Sequence, residues 1–396
     1  MSQRFDVVVV GAGPGGATAA FELGEAGKRV VVLERGHLPR YKACGGGLSL
    51  GLLQQFPFPF DPVVESSVRS ITYSFRSRSV RFELPPGQIC MVMRDKFDAY
   101  LLDHARAEVR QGVLVSRVRE LADRVIVESD GMPSLEADYV IGADGASSVV
   151  ARDLGLRRGK RVAAAIEAEA PVPPEVFGRY AQAPVFIFGR IRAGYLWIFP
   201  KATHLSVGIG AYRPRPGQMQ TVLKQVMAEY GISLEGVPLH GHPLPVYLGR
   251  ERIATGRGLL VGDAAGLVDP LTGEGIRYAV KSGRLAARCI VEDHAAEYQA
   301  RIQRGIGRGH ALGLLLAQLF YRLPILCYAL GVRNPLATSA FLDLLSDRVE
   351  YPEVVASVFS SLPFYLMTEI LAGMAGALGR KEVRDRIRSA VYGEYV

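Results

Sequence analysis

The sequence predicts an α/β chain: a discontinuous β-α-β domain, an inserted antiparallel β-sheet domain and a helical C-terminal region. Three observations carry that prediction. A strand–glycine–helix–strand pattern fills the first 34 residues, and a second strand–glycine–helix segment returns at 258–293. Between them, residues 161–250 read as short strands punctuated by Pro and Gly, without further β-α alternation.

Each element follows in order. Residues 5–10, FDVVVV, are the apolar, β-branched run of a buried parallel strand. GAGPGG follows at 11–16. ATAAFELGEAG then has helical spacing, with Ala17, Ala20, Leu23 and Ala26 on one face. Gly27 stops that helix, and RVVVLE at 29–34 is a second buried strand. Residues 70–84 alternate like exposed antiparallel strands. Residues 95–110 are expected to be helical, 113–118 and 124–129 to be strands, and 138–142 to be a short buried strand ending in ADGASS. In the insertion, strands are expected at 162–169, 184–190, 194–199 and 204–212, with one helix at 217–230. GLLV at 258–261 runs into GDAAG, and a helix is expected at 274–293. Residues 296–396 read as helical and apolar, with breaks at Pro324, Pro335, Pro352 and Pro363. The resulting partition is 1–69, 85–160 and 251–295 for the discontinuous domain, 70–84 and 161–250 for the β-rich domain, and 296–396 for the helical region.

Composition narrows the function classes. The 396 residues are 49% hydrophobic and 22% charged, which supports a large core and excludes global disorder. None of the four cysteines is spaced as CxxC, so neither a disulfide scaffold nor a zinc ribbon is expected. The histidines form no metal-ligand pattern, and His240 and His242 read as loop residues among prolines. The N-terminus lacks the parts of a signal peptide, so a cytoplasmic setting is expected. Net charge is +8, but the basic groups, such as Arg157, Arg158, Lys160 and Arg161, have no nucleic-acid motif interleaved, so nucleic acid is not the expected partner. Mean hydropathy is +0.15, high for this charge content, and the apolar excess lies in the C-terminal third. Residues 311–330 are long enough to span a bilayer, yet they contain Arg322 and Pro324. A central Arg costs roughly 2.5–3.5 kcal/mol on insertion. A buried core helix is therefore expected there, the alternative being a helix facing a greasy cavity or the bilayer interface.

The glycine motifs carry the chemistry. In GAGPGG, Gly11 permits the tight turn, Gly13 lets the backbone approach a pyrophosphate, and Gly16 lets the helix pack on the strand. Gly15 completes the loop, and the phosphates belong at the helix N-terminus. Glu34 ends the second strand, placed to accept hydrogen bonds from an adenosine ribose. The 258–280 segment repeats the theme: Gly262 frees the turn, and Asp263 can accept from a ribitol hydroxyl or cap a helix. Gly273 and Gly275 free the backbone at a helix start whose dipole stabilises negative charge on a reduced flavin. Two such segments about 250 residues apart suit one extended FAD in a Rossmann-like domain.

Together, GAGPGG with Glu34, Arg94 in MRDKFDAYLLDHA, GADGASSVVAR with Asp144, and GDAAG resemble the p-hydroxybenzoate-hydroxylase-fold flavoproteins. Within that group, PRYKACGGGLS at 39–49 and GYLWIFPKATHLSVGIG at 194–210 are similar to the motifs of geranylgeranyl (prenyl) reductases. The resemblance implies FAD-dependent reduction of isoprenoid double bonds in a lipid or prenyl-chain substrate. It extends to about residue 290. It places Cys44, Gly45 and Gly47 near the flavin and Arg94 at the diphosphate or ribityl region. It also puts the Val118 backbone at the adenine, and Gly275 and Ile276 at the isoalloxazine. It makes Tyr195, Trp197, Phe199 and Pro200 the substrate-binding motif.

Plain readings stand beside these. Arg94 as a surface ion pair would be worth about 0–1 kcal/mol. Asp144 can simply cap its turn. Tyr195, Trp197 and Phe199 share one face at strand spacing, as a core stripe or as the wall of an isoprenoid channel. Cys44, among Arg40, Lys42 and glycines, is either a small filler or a redox or catalytic thiol. The proton that completes alkene reduction is expected from Cys44, Tyr195 or water. No NAD(P)H site is visible, so an external donor is expected: NADPH, ferredoxin or a deazaflavin. A prenyl-lipid substrate and the basic 380–390 helix add peripheral membrane contact. The alternative is an FAD-dependent monooxygenase on an aromatic or polyketide-like substrate, against which the Cys44 segment and the Tyr195–Pro200 motif count. A halogenase, a flavin-dependent isoprenoid cyclase and a non-enzymatic prenyl escort are further rivals.

Overall fold

Strand Gln3–Val10 forms the heart of the first sheet, and its Val7, Val8 and Val9 expose no surface. The computed structural model describes residues 3–392 except 77, 86, 160–162 and 379, so Lys160 and Arg161 lie outside the described residues. The parallel order is Glu108–Gln111, Val30–Glu34, Gln3–Val10, Met132–Gly142, Gly258–Leu260. Val8 pairs with Val31 on one side and Val140 on the other. A strand buried on both faces needs an unbroken apolar run, which FDVVVV supplies. Val115–Glu120 and Val125–Ser129 extend the sheet as an antiparallel meander. Helix Pro14–Glu25 starts with proline in its first turn, where no hydrogen bond is lost. It packs against helix Ile276–Val291.

The chain divides into two compact units. The first comprises Met1–Gly46, Val92–Ile166 and His240–Leu314; the second comprises Gly47–Met91, Glu167–Leu239 and Leu315–Val396. Residues 296–314 thus fall in the first unit, and the remainder of the helical C-terminal region falls in the second.

Two expectations in the first unit are corrected. The helix expected over 95–110 is Arg94–Asp103, and residues 108–111 are a strand. The open edge of Val30–Glu34 recruits them by parallel pairing, and that pairing overrides the helical preference of the Ala-Arg-Ala-Glu stretch. His240 and His242 lie on strand His240–Leu244 rather than in a loop.

The second unit is built on the sheet order Leu205–Tyr212, Gly194–Pro200, Val185–Phe188, Ser70–Phe75, Arg78–Glu83, with residues 167–170 of strand Ala163–Ala170 beside Leu205–Tyr212. The pairing of Val185–Phe188 with Gly194–Pro200, and of Gly194–Pro200 with Leu205–Tyr212, is antiparallel, whereas Val185–Phe188 runs parallel to Ser70–Phe75. Ser70–Phe75 was expected to be exposed, yet Ile71, Tyr73, Ser74 and Phe75 are buried. Its place inside the sheet, with a strand on each side, explains the difference.

The C-terminal helices depart furthest from expectation. The chain bends by 112° at the break between Arg322 and Pro324, so 311–330 forms no straight span. It is not a buried core helix either, because Leu315, Leu319, Leu323, Ile325 and Leu326 are exposed. The expected break at Pro363 is absent: one helix runs from Tyr351 to Ala377 through it. A proline removes one backbone hydrogen bond, and the packed turns on either side carry the helix past that loss.

Glycine allows the closest contacts of the first unit. A Cβ at Gly16 would lie 2.0 Å from the Gly11 carbonyl oxygen, and one at Gly283 would lie 2.3 Å from the Gly15 carbonyl oxygen. Gly16→Ala should therefore cost about 1–3 kcal/mol in urea unfolding, by forcing the helix off its strand. Gly241→Ala, whose Cβ would meet nothing within 4 Å, should change stability by less than about 0.5 kcal/mol.

Candidate functional site

The GAGPGG turn is built for close approach. Gly11 has φ +100°, and a side chain there would meet the Ala143 carbonyl oxygen at 2.4 Å. Gly13 differs: an added Cβ finds only the Arg94 guanidinium, at 4.0 Å. Backbone at the start of helix Pro14–Glu25 is thus open toward that guanidinium. Glu34, at the end of the neighbouring strand, accepts the Ala12 N–H at 2.8 Å and the Gly36 N–H at 3.0 Å. Arg40 donates to both its oxygens, at 3.0 and 3.3 Å. Burial alone would raise the Glu34 pKa, but Arg40 and the two backbone donors outweigh it and hold the carboxyl below the usual range.

A charge network continues from there. Arg40 also donates to Asp98 at 3.2 Å, and Arg94 grips both oxygens of Asp98 at 2.8 Å. Arg94 is buried, so the surface ion-pair reading fails. Burial would lower its pKa, but Asp98 more than compensates and keeps the guanidinium charged. The Cys44 thiol lies against Arg94 and accepts the Gly46 N–H at 3.4 Å. All four cysteines are free thiols. Lys42 lies 3.1 Å from His242 Nε2, and that nitrogen lies 3.7 Å from Asp263. Burial, helped by Arg94, pushes the Lys42 pKa down against the pull of Asp263. For Asp263 burial acts upward, and His242, Lys42 and Arg94 hold it below the ordinary value.

Asp263 sits in the 3-10 turn Gly262–Ala265, and the long helix starts later, at Ile276, with Gly275 as its N-cap. Asp263 therefore does not cap that helix. Arg157 clamps the turn, donating to the Asp263 and Ala264 carbonyls at 2.8 and 3.4 Å. Asp144 Oδ2 accepts the Val149 N–H at 2.7 Å, so it does cap its turn, while its buried Oδ1 has no hydrogen-bond partner. The Val118 N–H donates to Asp153 at 2.8 Å. Cys44 and Gly45 belong to the first unit; Gly47 begins strand Gly47–Ser49 of the second.

The first unit thus gathers Gly13, Glu34, Cys44, Arg94 and Asp263 with five partners to which the sequence reading gave no site role: Arg40, Asp98, Lys42, Arg157 and His242. Asp98 was discoverable, four residues after Arg94 on an expected helix. Arg157, Lys42 as a partner, and His242 gave no local signal, because their contacts are with residues distant in sequence. Among the described residues, no group of His, Cys, Asp or Glu could hold a metal ion.

In the second unit, Tyr195, Trp197 and Phe199 line one face of their strand, with rings 6.3 and 6.2 Å apart. Phe186 lies 5.9 Å from Tyr195 and 5.2 Å from Phe199; Tyr73 lies 5.5 Å from Phe186. Gly208 makes room for the indole, since a Cβ there would come within 2.1 Å of it. Trp197 is buried, while Tyr195, Phe199 and Phe186 are only half-buried, so the stripe is more than a closed core. Ser206 pairs across the strands with Phe199 and so shares its face. Its hydroxyl donates to Glu167 at 3.2 Å, Glu167 reaches Glu169, and Glu169 lies 2.9 Å from His204. Two neighbouring carboxyls with a histidine can hold and pass a proton. This chain of groups was missed, because alternation on strand Ala163–Ala170 marks a shared face without marking its partners.

Residues 4–188 match the family model of an FAD binding domain. The chloroplastic geranylgeranyl diphosphate reductase of Oryza sativa subsp. japonica is 33% identical, covering 87% of this chain and 79% of its own. Digeranylgeranylglycerophospholipid reductase 2 of Methanopyrus kandleri is 31% identical, covering 80% and 87%. The chain belongs to the geranylgeranyl reductase family. It is an FAD-dependent oxidoreductase. A geranylgeranyl bacteriochlorophyll reductase-like protein of Thermoplasma acidophilum has the same fold, with a TM-score of 0.76 at 22% identity over 93% of this chain and 99% of that one. The residues of this family member fit FAD: Gly13 leaves backbone open beside a buried cation, and the sealed Asp144 Oδ1 lacks a partner.

The Glu34 carboxyl makes a pH prediction. Its pKa is depressed on folding, so its contribution is complete above the unfolded value near 4.5 and is lost as pH falls through the folded value. Glu34→Gln should cost about 1–3 kcal/mol at pH 7 in urea unfolding. The gap to wild type should close as the pH is lowered below 4.5.

Proposed function

We propose that this enzyme reduces isolated carbon–carbon double bonds in the isoprenoid chain of a prenyl lipid. The observation that carries the reading is the aromatic face of Tyr195, Trp197 and Phe199, extended by Phe186 and Tyr73. An isoprenoid offers nothing to hydrogen-bond along its length, so a wall of rings is the surface that holds it. Each methylene withdrawn from water contributes about 0.8 kcal/mol. The two relatives are named for compounds with different head groups, a diphosphate and a glycerophospholipid, that have the geranylgeranyl chain in common.

FAD held here would, once reduced, supply the hydride. Gly11, Gly13, Gly15 and Gly16 would cradle its pyrophosphate, with Arg94 as the neighbouring cation and Glu34 at the ribose. Gly262 and Asp263 would serve the ribityl chain, Asp144 and Val118 the adenosine half, and Gly45, Gly47, Gly275 and Ile276 the flavin ring. Cys44, held beside Arg94, and Tyr195 are candidate proton donors. Glu167, which accepts from Ser206 and neighbours Glu169, is a third, and partly exposed His204 links that pair to solvent. Electrons would come from outside: NADPH, ferredoxin or a deazaflavin. A substrate of this kind lives in a bilayer, and we take the enzyme to work at its surface.

Anaerobic incubation of the dithionite-reduced enzyme with geranylgeranyl diphosphate and a geranylgeranyl glycerolipid tests this. A mass gain of two hydrogens per bond, with reoxidised flavin, is expected. Unchanged mass with every prenyl substrate, joined to oxygen uptake with NAD(P)H and an aromatic compound, would establish the monooxygenase alternative instead. Trp197→Ala should raise KM about tenfold with little change in kcat. Glu167→Gln should instead lower kcat, by roughly a hundredfold if it supplies the proton.

A further inference from the structure

We infer that helix Tyr351–Ala377 lies in the plane of an anionic bilayer surface, with its outward face among the acyl chains. Phe359, Phe364, Ile370, Met374 and Leu378 are each 60–71% exposed. At about 100° per residue, these five fall within one arc of about 140°. Between Val354 and Leu378 the only charged residue is Glu369, and Arg388 neutralises it at 2.6 Å. The face is therefore uncharged over about 33 Å of helix.

The opposite face is committed to the chain itself. Ser361 accepts a hydrogen bond from Asn334 at 3.1 Å, and Tyr365 donates to the Ala329 carbonyl at 2.9 Å. A helix bound to its own unit along one side lies on a membrane rather than crossing it. Charge complementarity selects the lipid. Besides the Arg388 that Glu369 takes, residues 380–388 carry four cations, Arg380, Lys381, Arg384 and Arg386, against two acids, Glu382 and Asp385. Cations beside an apolar strip fit a surface of anionic head groups. A second exposed apolar set in the same unit, including Leu315 and Ile325, surrounds Arg322. The stem of Arg322 can lie along lipid while its charge reaches phosphate.

Flotation of the flavin-loaded, full-length protein with phosphatidylglycerol–phosphatidylcholine vesicles, without substrate, tests the inference. Failure to bind vesicles and failure to reduce prenyl chains are thus separate results. Wild type should float with these vesicles at low salt and be released by alkaline carbonate. Phe364→Ser/Ile370→Ser should bind at least about tenfold more weakly. Leu371→Ser/Met374→Ser should do the same and serves as a second variant should the first lose its flavin absorbance. Lys381→Glu/Arg386→Glu should weaken binding to anionic vesicles and leave the weaker binding to pure phosphatidylcholine unchanged. The inference is overturned if wild type stays unbound at low salt or if both serine variants bind like wild type. It is equally overturned if the protein resists carbonate, or if wild type is a dimer that the serine variants dissociate without change in vesicle binding.

Discussion

The first unit depends on one constraint: backbone must touch backbone where strand Gln3–Val10 turns into helix Pro14–Glu25. The carbonyl of Gly11 occupies the space a Cβ at Gly16 would take, and the carbonyl of Gly15 does the same at Gly283. These contacts bring two helices and the central strand together without side chains between them. They also leave the helix N-terminus at the C-terminal end of the central strand, where the free N–H groups of a helix start favour an anionic diphosphate. Gly13, alone in the loop, faces open space toward Arg94.

Buried charge is the second theme. Glu34, Arg40, Asp98 and Arg94 form a continuous ion-paired line within the first unit. Removing ions from water is expensive, and each here is compensated by at least one oppositely charged partner. The line keeps the Arg94 guanidinium charged and fixed beside the open glycine. Lys42, His242 and Asp263 continue it electrostatically, through the field of Arg94, to the second glycine turn, which Arg157 clamps through two carbonyls. In the second unit the arrangement is different in kind. A broad aromatic face ends at Ser206, and behind Ser206 stand Glu167, Glu169 and His204. Apolar surface suited to a hydrocarbon thus adjoins groups able to carry a proton.

The sequence by itself determined the parts whose physics is local. FDVVVV can only be a doubly buried strand, GAGPGG only a tight turn, and Tyr195, Trp197 and Phe199 share a face because a strand repeats every two residues. The ordered motifs also sufficed to mark the family and its cofactor. What the tertiary structure decided were the matters set by distant neighbours. The edge of Val30–Glu34 turned residues 108–111 from helix to strand, and flanking strands buried Ser70–Phe75. Packing carried a helix through Pro363, and Leu315, Leu319, Leu323, Ile325 and Leu326 emerged exposed where a core helix was expected. Asp98 alone among the added site residues had a signal in its spacing. His242 reached Asp263 and Arg157 reached the same turn across long stretches of chain, because hydrogen bonds and ion pairs depend on proximity in space, which a sequence does not record.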